Sequence, residues 1–159
     1  GIYGRPRRLV TDATGRLCNA IRKNEPTEPI KFILMSTTGN RNHDLDERIS
    51  IGQKCVIGLL RLLLPPHVDN EKAANYLRTK IGQNDPHIRW VAVRPDGLIH
   101  DAEVTNYKIF KSPTRSAIFD SGVTSRINVA FFMAELINTK KTWDMWKGKM
   151  PVIYNSLSS

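Results

Sequence analysis

Two stretches of this 159-residue chain put polar groups and glycine where chemistry could be done. In the first, four consecutive apolar residues, Phe32-Ile33-Leu34-Met35, run straight into Ser36-Thr37-Thr38-Gly39. A hydroxyl at the end of a buried strand can donate a hydrogen bond to a carbonyl as charge develops on its oxygen, which is what a hydride acceptor requires. The same hydroxyls can instead satisfy backbone groups at a strand-to-loop junction, and the residue types leave both roles open. In the second stretch, Ile88-Arg89-Trp90-Val91-Ala92-Val93 empties into Arg94-Pro95-Asp96-Gly97-Leu98. Proline after Arg94 keeps the exit extended, and Asp96-Gly97 permits a turn. Arg94 also reads as a partner for a carboxylate.

The remaining reactive residue types form no recognisable constellation. His43, His67, His87 and His100 have no metal-ligand spacing to one another and fall in predicted loops, so no metal and no nucleophilic triad is assigned. Cys18 and Cys55 lie on predicted helices among apolar neighbours, which predicts two buried free thiols and a reducing compartment, cytoplasmic or other. Trp143 and Trp146, one turn apart, read as packing residues.

The elements that must position the two stretches follow from periodicity. Leu9, Val10, Ala13, Leu17, Cys18 and Ile21 have helical spacing over residues 8–23. After Pro29 the strand 30–35 has apolar residues on both faces, which predicts a place inside a parallel sheet. The polar segment 40–48 reads as a loop, and a helix over 49–64 is stopped by Pro65-Pro66. Asp69 is the predicted N-cap of a further helix to Ile81, with Ala73, Ala74 and Leu77 inward and Gly82 as its C-cap. The strand at 88–93 follows, then a short strand within 104–110. A helix over 127–138 is capped by Thr124 or Ser125, and the last strand, 150–154, is predicted at a sheet edge because of Pro151. The fold class is therefore α/β, with two parallel strands joined by a helical crossover so that their C-terminal loops lie side by side, where open α/β sheets bind ligands.

Length and composition allow one domain over residues 1–159 with a sizeable core. The longest apolar run, 56–64, contains Arg61 and is short of the roughly 20 residues a membrane span needs. The first residues lack both an apolar signal block and an initiator Met, which predicts a soluble protein beginning partway along a longer one. Twenty-four Lys plus Arg against fifteen Asp plus Glu give a net charge of +9. The basic residues are scattered and not interleaved with aromatics, so a solvated basic surface is the default and nucleic-acid binding the least favoured function.

At Phe32 to Arg41, at Asp69 to Arg78 and at Trp90 to Leu98 the chain resembles the atypical short-chain dehydrogenase/reductase superfamily, nearest to its NAD(P)H-binding, NmrA-like and flavin-reductase-like members. Thr124-Ser125-Arg126-Ile127-Asn128-Val129-Ala130 followed by a helix is similar to theirs as well. The likeness covers nearly the whole chain but only the C-terminal half of that family, since no Gly-x-x-Gly-x-x-Gly loop follows a strand here. It implies a partial Rossmann-like parallel sheet with flanking helices, whose glycine-loop half, the pyrophosphate-binding part, is absent from this sequence.

The resemblance also implies roles. It places the family's catalytic hydroxyl at or beside Thr37, with Ser36 as the second candidate and Thr38 as a cofactor neighbour. Pro95, Gly97 and Leu98, with Arg94, fall in the loop that contacts the nicotinamide of NADP or NAD. Tyr76-Leu77-Arg78-Thr79-Lys80 matches the family's Tyr-x-x-x-Lys motif as a string, but Lys80 is too near Arg94 for the usual helix, turn and strand. Lys72, about two helical turns earlier, fits that register, which puts Val68 in the tyrosine's place. Lys72 then either orients the ribose or is a solvated helix lysine, while Tyr76 is a packing residue.

Two functions follow from this. The first is an oxidoreductase passing hydride from NAD(P)H to a small carbonyl, flavin or quinone-like acceptor. The second is a non-catalytic dinucleotide sensor, or a structural subunit docking on a partner or on a missing N-terminal half.

Overall fold

The computed structural model describes residues 5, 7–45, 47 and 51–156. Its elements run α1 (Leu9–Asn24), β1 (Ile30–Met35), α2 (Ile51–Leu63), α3 (Pro65–Tyr76) with a π turn at Leu77–Ile81, and β2 (Ile88–Pro95). They continue with β3 (Gly97–Ile99), β4 (Tyr107–Phe110), β5 (Val123–Ser125), α4 (Arg126–Asn138), α5 (Lys140–Trp146) and β6 (Val152–Asn155). The main sheet has the order β1-β2-β6-β4. β1 and β2 are parallel in the register Phe32 to Trp90 and Met35 to Val93, β6 lies parallel on the far side of β2, and β4 pairs antiparallel with β6.

The alternation of side chains along β2 divides the core. Trp90 and Ala92 join Cys18, Ala74, Leu77 and Ile88 beneath α1 and α3, while Val91 and Val93 join Val129, Phe132, Leu136 and Trp143 beneath α4 and α5. Every residue of β2 but Arg89 is buried, as a parallel strand with both faces covered requires.

Two strand placements differ from expectation. β1 is an edge strand, half exposed along its length, and not an interior one. Apolar composition reports the two faces, and Phe32, Leu34 and Ile33 do pack on both core clusters, but it carries no information about the edge. β6 is interior: Pro151 sits just before it and spends its carbonyl on the N–H of Arg94, so the proline's missing N–H interrupts no ladder. β4 forms the outer strand instead.

Capping also departs from the sequence. α3 begins at Pro65, a residue suited to a first helical position, so Asp69 is interior to the helix. Asp69 serves α1: its carboxylate accepts the N–H groups of Val10 (2.8 Å) and Thr11 (2.9 Å) and the Thr11 hydroxyl (2.6 Å). Gly82, at φ 70°, does close the π turn, donating to the Leu77 carbonyl, and Ser125 caps α4 by accepting the Asn128 N–H. Trp143 and Trp146 are buried, on a helix of their own. Cys18 is buried as expected but Cys55 is exposed. Among the described residues no helix is long and apolar enough to cross a membrane.

Candidate functional site

The C-terminal ends of β1 and β2 are tied together beyond the strands themselves. The N–H of Ser36 donates to the Val93 carbonyl (2.7 Å) and the N–H of Thr38 to that of Pro95 (3.1 Å), so the ladder extends to both tips. The Thr38 hydroxyl then donates to Asp96 Oδ1 (3.1 Å). The other oxygen of Asp96 accepts the Gly122 N–H (2.9 Å), while the Asp96 N–H donates to the Thr124 hydroxyl, which in turn donates to the Ile153 carbonyl (2.7 Å). The Asp96 carboxylate thus joins the tips of β1 and β2 to the start of β5, and its backbone N–H, through Thr124, reaches β6.

The three hydroxyls at the β1 tip are not equivalent. Ser36 is buried and accepts from Asn40 Nδ2 (2.7 Å). Thr38 is buried and spent on Asp96. Thr37 is half-exposed, and its oxygen accepts only a long bond from the Gly39 N–H (3.4 Å), so its own proton remains available to an incoming acceptor. Beside Thr37, a Cβ on Gly39 would lie 2.9 Å from the imidazole of His67 at the start of α3. His67 is held below its ordinary pKa by burial, partly countered by Glu71, with Arg61 adding to the lowering. Its Nε2 has no hydrogen-bond partner among the described residues.

Across from Thr37, Gly97 and Leu98 are exposed while Pro95 is buried. β3 pairs parallel with β5, and a Cβ on Gly97 would meet the Gly122 carbonyl oxygen at 3.0 Å, so the close pairing of these strands depends on glycine.

Arg94 takes the carboxylate-pairing role. It is fully buried and forms a two-pronged pair with Glu47 (2.8 and 3.1 Å). It also donates to the carbonyls of Met150, Asn40 and Lys111, so all five guanidinium N–H groups are satisfied inside the protein and none is left for a cofactor. Its contacts with Asn40 and Glu47 hold the loop that leaves the β1 tip.

Lys72 also lies away from the space between the tips. Ala73, Ala74 and Leu77 carry the inward face of α3, and Lys72 is exposed on the opposite side, lining a cavity with Val68, Arg61, Arg7 and Arg8. No residue of either strand tip lines that cavity. The distance of Lys72 along the chain from Arg94 predicts a place near the strand ends, but the packed side of the helix is taken by Ala73, Ala74 and Leu77, which leaves the lysine outward. Tyr76 packs against the core cluster with its ring 3.9 Å from Gly15, and Lys80 is exposed in the π turn. Among the described residues no cluster of metal-ligating side chains occurs.

No family model and no curated protein matches the sequence. Solved structures do. The oxidoreductase ylbE from Lactococcus lactis is 19% identical with a TM-score of 0.62, over 100% of this chain and 60% of that one. This chain carries part of a Rossmann-like fold. A short-chain dehydrogenase/reductase from Veillonella parvula solved with NADP is 13% identical with a TM-score of 0.59, over 95% of this chain and 60% of that one. A Rossmann-fold NAD(P)-binding family protein from Shigella flexneri is 14% identical with a TM-score of 0.57, over 100% and 59%. The chain therefore spans about three fifths of the length of these neighbours.

The tip signals are legible in the sequence, but nothing local marks Asp96, Asn40, Glu47 and His67 as neighbours of those tips. Asp96 beside Gly97 has the signature of a turn residue. Asn40 and Glu47 belong to the polar segment expected as a loop, and both are buried in it.

Proposed function

We propose that this chain is the nicotinamide-side portion of an NAD(P)-dependent oxidoreductase, passing hydride from NAD(P)H to a small carbonyl, flavin or quinone-like acceptor. The observation that carries the reading is the pair of parallel strand tips joined through Thr38 and Asp96, at the place where open α/β sheets bind ligands, in a chain whose fold neighbours include one solved with NADP. The residues present suit the ring end of a dinucleotide: a half-exposed hydroxyl, Thr37, follows β1, and an exposed apolar side chain, Leu98, follows the end of the adjoining strand β2. A bound nicotinamide would supply the hydride. Thr37 would donate a hydrogen bond to the acceptor oxygen, and Leu98 with the backbone at Gly97 would bound the ring. Ser36, Thr38 and Pro95 hold the tip geometry, and Arg94 positions the loop over it. Lys72 is left out of this assignment. A glycine loop for the pyrophosphate would come from sequence outside these 159 residues.

Val68, in place of a tyrosine, removes the usual proton donor and favours a second reading, a dinucleotide-sensing or structural accessory subunit that binds cofactor without turnover. Single-turnover oxidation of NADPH by the full-length protein, with menadione as a quinone probe, separates the two. Loss of nicotinamide absorbance supports the first, and saturable binding without oxidation supports the second. Absence of both removes the dinucleotide from either.

A further inference from the structure

The segment before α1 meets α2 and α3 at a cavity of about 230 Å³ that brings together Arg7, Arg8, Arg61 and Lys72. An adjoining cavity shares Arg7 and Arg8 and adds Arg5. The nearby acids leave part of this charge unanswered. Arg61 forms a two-pronged pair with Glu71, and Arg8 has an exposed contact with Asp12 at 3.8 Å and a longer-range attraction to Asp69. Asp69, the acid in the cavity wall, has turned its carboxylate to the N-terminus of α1 and is fully occupied there. Arg7 and Lys72 have no acidic partner among the described residues. Gathering four cations from three segments of the chain raises their mutual repulsion, and a multivalent anion relieves it best. The cavity exceeds the size of one phosphate group and opens to solvent, so water need not be trapped to fill it.

We propose that this cavity binds a phosphoryl anion, a pyrophosphate or phosphomonoester group, at a site separate from the strand tips. Arg7 and Arg8 offer planar guanidinium forks that match two phosphate oxygens, Lys72 supplies a point charge from the facing helix, and Arg61, paired with Glu71, contributes a donor that an anion would share. The exposed position of Lys72, unexplained by a ribose role, follows from this assignment. The site does not depend on hydride transfer, because inorganic pyrophosphate can be measured without any nicotinamide signal.

Isothermal titration of the chain with inorganic pyrophosphate at low ionic strength tests the proposal. Saturable one-to-one binding is expected, weakened as sodium chloride rises. Lys72→Ala should weaken it by about tenfold, the loss of one charge-assisted hydrogen bond. Lys72→Arg should retain it and Lys72→Glu should abolish it, with unchanged thermal unfolding in all three, since the residue is exposed. Lys141→Ala, on the exposed side of α5, should leave binding intact. Absence of saturation, or Lys72→Ala and Lys72→Glu binding within about twofold of the parent, would overturn the proposal.

Discussion

The hydroxyl of Thr38 donates to the carboxylate of Asp96 at 3.1 Å, joining the ends of two parallel strands whose sequences are far apart. Because Asp96 also accepts from Gly122, the same group sets where β3 and β5 begin. Asp96→Ala removes the acceptor for both and should destabilise the chain by about 1–3 kcal/mol, with Thr38→Val smaller at about 1 kcal/mol. Urea midpoints at constant slope would check this, and equal losses for the two variants would mean that Gly122 contributes nothing through Asp96.

The Arg94–Glu47 pair is buried on both sides, with side chains 0% and 5% exposed. Removing one partner leaves the other charge stranded, so Arg94→Met or Glu47→Leu alone should cost about 3–5 kcal/mol. The double variant should recover a substantial part of that loss, which a double-mutant cycle on unfolding free energies would show as a large coupling. Additive losses would mean the two side chains act independently.

Asp69 is ionised in the folded chain despite its burial, because bonds from Thr11 and Val10 to the carboxylate overcome the desolvation and hold its pKa below the ordinary 3.8. A carboxylate depressed on folding stabilises the fold fully above its unfolded pKa, and the contribution is lost as pH falls through the folded value. Stability should therefore decline below about pH 4, and Asp69→Asn should flatten that decline while lowering stability at neutral pH by about 1–2 kcal/mol. Thermal unfolding across pH 2–7 measures both, and an unchanged acid slope in the variant would argue against Asp69 as the group responsible.

Burial raises the Cys18 thiol to about 11, with Arg22 opposing and Asp85 adding to the shift, whereas Cys55 is exposed. Native protein at pH 8 should therefore release one equivalent of thionitrobenzoate quickly and the second only on unfolding. Rapid reaction of both thiols would place Cys18 outside the core.

How much of this could be read beforehand varies with the range of the interaction. β2, the existence of α1, the inward face of α4 and the Gly82 and Ser125 caps follow from local periodicity and turn chemistry, and the structure has them, but α1 buries Thr14 and Cys18 and leaves Leu9 and Leu17 exposed. The edge position of β1 does not, because which strand pairs with Ile33 is decided by the rest of the sheet. Asp69 looked like a local cap, and its partners are the backbone of Val10 and Thr11, reached only through tertiary packing. Arg94 and Lys72 show the same limit at the site: their residue types suggested anion contacts, but one is consumed by Glu47 and the other faces Arg61 and Arg7.

The central claim, that a nicotinamide sits between Thr37 and Leu98, is tested most directly by nicotinamide fluorescence as full-length protein is titrated into NADPH. Saturable enhancement is expected, weakened about tenfold or more in Leu98→Asp, a change at an exposed residue that should leave thermal unfolding intact. Emission that does not respond to the protein, or that responds identically in Leu98→Asp, would contradict the placement.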